Sequence, residues 1–259
     1  MSLFISSVFT YDEDAGNYIQ AVEGPSGDNQ ALEPATRKAI NNFVIGCKQD
    51  GIWTAIKASC ILAGARTLAG ALTPLVGTAP TPFGFVGLGT DYVRKTGLVG
   101  DGSTKYLNSN RNNNADPQNS KHLAVWRSTA ASVNGGLLGS GNSTGDSGLY
   151  TGFASFITTN NSLAGPSHAL TLSPASTFYG TTRSDSANFA VRHGGVNYSA
   201  SVASQTPADR NISVFQVNIG GSSYTDARLA FHSIGESLDL ALLDARVTDL
   251  INAFAVTIP

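Results

Sequence analysis

A chain of 259 residues, 41% of them hydrophobic, is long enough to bury a core without disulfide support. Charged residues make up only 13% and the formal net charge is −2, which excludes a general attraction to nucleic acid or to an anionic membrane surface. The opening MSLFISSVF lacks a basic n-region, and Lys57 and Arg66 interrupt the most apolar stretch (52–77), so neither a signal peptide nor a membrane span is expected.

Residues 1–31 join a short apolar run to YDEDAGN and EGPSGDNQ, turn-rich and without sustained periodicity, and read as an N-terminal arm. From Leu32 the apolar residues Ala35, Ala39, Ile40, Phe43, Val44 and Cys47 recur at helical spacing, with Pro34 tolerated in the first turn. After Asp50-Gly51 a second stretch repeats that period through Ile52, Ile56 and Cys60, then gives way to the Pro/Gly-rich GTAPTPFGFVGLG. Residues 32–90 therefore read as an antiparallel helical hairpin followed by a linker. The face made by Ile40, Phe43, Val44, Ile52 and Ile56 is too apolar for a short isolated pair. It is assigned to assembly, against the following domain or a neighbouring copy, and a homo-oligomer is expected. Cys47 and Cys60 would lie about 20 Å apart along one helix, so free thiols are expected unless the segment folds back on itself.

Beyond Thr90 the composition shifts to Gly, Ser, Thr and Asn, with short apolar runs: YVRKTGLVG, KYLNS, HLAVWRS, GLLGSG, LYTGFASFIT, HALTLS, TFYGTT, NFAVRH, NYSASVA, ISVFQVNIG and ARLAFHSIG. Runs of this length between turn residues predict a mainly β domain over 91–259, an antiparallel β-sandwich or jelly roll. It closes with a helix that places Leu243, Val247, Leu250 and Phe254 on one face, with Ser237 a candidate N-cap.

Two stretches carry a family resemblance: AINNFVIGCKQDGIWTAIKASCILAGARTLAGALTPLVGTAP, and YVRKTGLVGDGSTKYLNSNRNNNADPQNSKHLAVW after it. Together they resemble a module of tailed-bacteriophage virion proteins, in which a small helical segment precedes a concanavalin-like, laminin-G-like jelly roll. GLVGDGSTKYL and RLAFHSIGESLDLALLDARVTDLINAF are similar to the first strands and to the closing strand and helix of such domains. The resemblance spans about 31–254 and implies a structural or receptor-binding protein of the virion, with other virion proteins as partners and a trimer by analogy with phage appendages. The part before Ala31 is short, so the arm would do any anchoring.

Concanavalin-like folds also house glycoside hydrolases, which need two carboxylates on one face. Between Glu33 and Glu236 the sequence has no glutamate, and Asp91, Asp101, Asp116, Asp146, Asp185, Asp209 and Asp226 all lie among turn formers. His122, His168, His193 and His232 are scattered singly, without metal-ligand spacing; RHGGVNY around His193 reads as a strand entering a tight hairpin. No catalytic residue, metal or cofactor is expected. Trp53 and Trp126 follow helical and alternating patterns and are expected to be buried. The loop LNSNRNNNADPQNSKH offers Asn112, Asn113, Asn114, Asp116 and Asn119, oxygen and amide groups of the kind that contact calcium or sugar hydroxyls. Asparagine also satisfies turns locally and tolerates left-handed backbone, and the turn reading is preferred, with glycan or partner contact as the alternative. The leading expectation is a non-enzymatic virion component, a tail fibre or surface appendage. A carbohydrate-binding lectin-like module or a capsid decoration protein comes next, and a glycan depolymerase last.

Overall fold

The computed structural model describes residues 10–24, 31–87, 89–141, 143–151, 155–162, 167–169, 176–217 and 223–259. In chain order the elements are α1 (Glu13–Glu23), α2 (Pro34–Gln49), β1 (Ile56–Ile61), α3 (Leu68–Ala71), β2 (Thr81–Phe83), β3 (Tyr92–Val93), β4 (Gly97–Val99), β5 (Tyr106–Asn112), β6 (Lys121–Thr129), β7 (Gly135–Gly139) and β8 (Gly148–Thr151). They continue with β9 (Ser155–Thr159), β10 (Ser167–Ala169), β11 (Thr177–Arg183), β12 (Phe189–His193), β13 (Val196–Ala200), β14 (Asn211–Val214), β15 (Gln216–Val217), β16 (Ser223–Tyr224), β17 (Arg228–Gly235) and α4 (Leu240–Thr257). Two sheets form a sandwich. The first has the order β13-β12-β11-β6-β17-β4-β3, with β1 added to β17; the second runs β10-β9-β8-β7-β14-β5-β2, with β15 and β16 beside β7. Among the described residues, pairing is antiparallel except between β15 and β7.

The expected β-sandwich is present, and each apolar run read from the sequence contains a strand; residues 170–173 of HALTLS lie outside the described residues. The Gly194-Gly195 turn takes up left-handed backbone (φ 58° and 80°) between β12 and β13, as the hairpin reading requires. GLVGDGSTKYL forms two strands, but β4 belongs to the first sheet and β5 to the second, so its turn carries the chain across the sandwich.

The region before Thr90 differs from the sequence reading in two ways. The arm contains α1, whose Ala15, Tyr18, Ile19 and Val22 are buried at helical spacing. Eleven residues including Gly16 carry too little intrinsic helicity to announce themselves, and packing on α2 supplies the rest. The helical hairpin is absent, because its second half is β1, a strand buried at five of its six positions. A strand covered on both faces shows no period-two alternation, and its continuous apolar run mimics a buried helix.

The antiparallel partner of α2 is the C-terminal α4. Thr36 Oγ1 lies 3.2 Å from Thr257 Oγ1 at one end, and Arg246 donates twice to the Asp50 carboxylate (2.7 and 2.8 Å) near the other. The pair lies on the outer face of the first sheet, with Phe43 edge-on to Phe231 of β17 at 5.7 Å. Leu243, Val247, Leu250 and Phe254 are buried, as their spacing predicts. The N-cap of α4 is Asp239, which accepts from the amides of Ala241 and Leu242; Ser237 instead meets Ser120. Ile40, Phe43, Val44, Ile52 and Ile56 are all buried within this same chain, so the face assigned to assembly is internal. Cys47 and Cys60 are buried free thiols, both pushed up to about 12 by burial.

Candidate functional site

The asparagine loop turns inward. Asn113 is fully buried, and its side-chain amide donates to Gly145 O (2.9 Å) and Asn161 Oδ1 (3.2 Å), tying the loop to two neighbouring turns. Asn112 accepts from the Asn114 amide at 3.0 Å, a local turn bond, and donates to Asp209 at 2.7 Å. Asp116 is buried between two cations: Arg111 donates to both of its oxygens, and Lys121 Nζ lies 3.4 Å away. The ammonium of Lys121, with no exposed surface, also donates to Asn113 O at 2.6 Å. Burial lowers the Lys121 pKa to about 8, against the opposing pull of Asp116. Two cations already neutralise the one carboxylate of this loop, and a calcium ion would be repelled from the same place. Asn114 and Asn119 are the exposed members of the set. The loop is a buried polar clasp, and the turn reading describes it.

The other aspartates of the β region are similarly occupied. Asp101 accepts from the amides of Ser103, Thr104 and Lys105, Asp185 from Ala187 and Asn188, and Asp226 from Ser132 and Val133. Asp91 accepts from the Val86 amide and pairs with Lys105 at 2.6 Å, and Asp146 binds Ser140 and Ser143. His122, His193 and His232 are buried, and burial lowers each to about 4, which keeps them neutral. The His168 side chain lies outside the described residues. Among the described residues no group of three His, Cys, Asp or Glu side chains could hold a metal, and no helix is long and apolar enough to cross a membrane. Trp126 is buried, whereas Trp53 is half-buried and donates to Asp14 at 3.1 Å.

The outer face of the second sheet has a different chemistry. Leu107, Leu138, Leu149 and Val214 share the inward face and are fully buried, so alternation turns Tyr106 and Tyr150 outward. Phe83 on β2 stands opposite Tyr106 on β5, rings parallel at 4.4 Å, and Tyr224 of β16 continues the row at 6.2 Å. Phe83 remains 40% exposed. The next residue back, Ser223, lines an open depression of about 240 Å³ together with Asn134, Gly135, Tyr150, Ser155 and Ile157. Ile157 faces Tyr150 across β8 and β9 and is 41% exposed. Gly135 is required here: a Cβ on it would fall 1.9 Å from Tyr224 O, so glycine lets β16 approach β7. Tyr150 is fixed by donating to Gly141 O at 2.5 Å.

None of these residues was singled out in the sequence. The available signal was the alternation in YLNSN, LYT and SFITT. It divides residues between two faces and leaves open which face meets water.

No protein-family model matches the chain, and no curated protein matches it. Among solved structures, the botulinum neurotoxin serotype D binding domain superposes with a TM-score of 0.50 at 10% identity, over 75% of this chain and 50% of that one. A Trypanosoma rangeli sialidase mutant displaying trans-sialidase activity gives 0.48 at 11% identity, over 83% and 39%. Domains LG4-5 of the mouse laminin alpha1 chain give 0.35 at 16%, over 47% and 37%. The chain thus spans half or less of each of these proteins, and the likeness is one of fold: this chain is a concanavalin-like, jelly-roll β-sandwich.

Proposed function

We propose that the chain is a non-catalytic carbohydrate-binding module whose ligand lies on the outer face of the second sheet. The observation that carries this reading is an aromatic row, the exposed Phe83 with the half-buried Tyr106 and Tyr224, beside a depression lined by hydroxyl, amide and apolar groups. Aromatic rings contact the apolar C–H faces of sugars while hydroxyl and amide groups meet their hydroxyls. A non-catalytic role is supported by the aspartates of the β region, whose oxygens are engaged in caps and ion pairs. The setting we infer, from the sequence resemblance alone, is the virion of a tailed phage, where such a module meets host-surface glycan. A trimer also rests on that resemblance, since the five apolar residues first assigned to assembly are internal.

The test is a carbohydrate array probed with the wild type and Tyr106→Ala, with sugar release measured on every bound ligand. Binding without release, weakened by the substitution, is expected. Release of reducing sugar would make the protein a hydrolase, and binding unchanged by Tyr106→Ala would move the ligand off this face.

A further inference from the structure

We infer that the ligand of this face is an uncharged, extended oligosaccharide, bound along several units across the strands and not through an acidic terminal sugar; the inference rests on the glycan-binding reading above. Charge is the first reason. The described residues lining the depression carry no ionisable group other than the phenol of Tyr150, which is committed to Gly141 O. The cations nearest to the aromatic row, the depression and the loops of this sheet are engaged inside the chain: Lys105 with Asp91 (2.6 Å), Arg111 with Asp116, Arg210 beside Asp146 (3.8 Å), and Arg127, buried between the sheets, with Thr151 of the lining (3.4 Å). Lys38 and Lys95, exposed and outside the ion pairs, lie on α2 and in the turn between β3 and β4, away from this face. A sialate or uronate carboxylate laid on the aromatic row would lose hydration without gaining a counter-charge.

Length is the second reason. In the order β9-β8-β7-β14-β5-β2, Ile157 and Phe83 stand at opposite ends, five strand spacings or about 24 Å apart. Tyr224 extends the aromatic row toward the depression, whose lining includes its chain neighbour Ser223. A single sugar ring covers one end only, whereas a chain of several units reaches both.

Calorimetry with neutral oligosaccharides from disaccharide to hexasaccharide, and with sialylated and uronic-acid-containing sugars of matching length, separates the outcomes. Affinity for the neutral series should rise about tenfold or more with length and stay constant when ionic strength is raised. Phe83→Ala should weaken the hexasaccharide about tenfold and leave the disaccharide, seated in the depression, unchanged. Preference for an acidic sugar, or affinity independent of length, overturns this inference while the glycan-binding reading stands. Binding of no carbohydrate at all overturns both.

Discussion

The two sheets of the sandwich are built from similar short strands, yet they bury their residues differently. The centre of the first is covered on both faces, by the second sheet and by α2 and α4, and β6 and β17 bury almost every residue along their length. The second keeps accessible positions toward its flanks, where β5 and β9 alternate between buried and accessible residues, while β7 at its centre is buried throughout. Polar groups inside the sandwich therefore have to find internal partners, as Lys121 and Asp116 do. Phe83 and Ile157 on the outer face of the second sheet stay exposed. A doubly covered sheet can hold the fold together but cannot meet a ligand; a singly covered one can do both.

The largest effect should come from breaking the helical cover of the first sheet. Leu250→Asp places a carboxylate on the buried face of α4 and should cost about 4–5 kcal/mol, read as a lower denaturation midpoint; an unchanged midpoint would mean that α4 does not cover the sheet. Asp116→Asn should cost slightly less, about 3–4 kcal/mol, because it leaves the Lys121 ammonium buried without its counter-charge. Added calcium should not restore the loss, and chelator should have no effect on the wild type.

Acid should also act on the covered sheet. His232 is buried with neither ring nitrogen partnered, and burial lowers it to about 4. The unfolded chain takes up this proton near pH 6.5 and the folded chain only near pH 4. The stability it contributes is therefore complete above pH 6.5 and is lost as pH falls through that window. At pH 5 the loss is about 2 kcal/mol, and His122 and His193 act in the same direction. Denaturant titrations at pH 7 and pH 5 should show a smaller difference for His232→Leu than for the wild type.

Substitutions on the open face should do the reverse. Ile157→Ser is expected to change stability by less than about 0.5 kcal/mol while lowering glycan affinity several-fold; a large loss of stability would mean that this face is packed. The smallest effect belongs to the exposed asparagines. Asn114→Ser with Asn119→Ser should alter neither the melting temperature nor ligand binding, in contrast to Asn113→Ser, which removes two buried hydrogen bonds.

The sandwich was legible because turn residues punctuate its strands and because α2 and α4 keep a clear helical period. The segment from Ile52 to Cys60 misled because β1 is buried on both faces, so its near-continuous apolar run also places Ile52, Ile56 and Cys60 at helical spacing. The asparagine loop was legible as a turn, but its inward direction was not. Nothing local states that Asn113 will meet Gly145 and Asn161, 32 and 48 residues away.

By itself the sequence determined a mainly β domain with a closing helix, aspartates suited to caps, and a charge too low to attract polyanions, since local backbone preference and composition fix these. Tertiary structure alone decided that α2 pairs with α4, that Asp116 is locked between cations, and that Tyr106, Phe83 and Tyr150 face outward. The physical reason is the second layer. A strand's alternation separates two faces, but only the packing of another sheet or helix against one of them decides which face is core and which meets solvent.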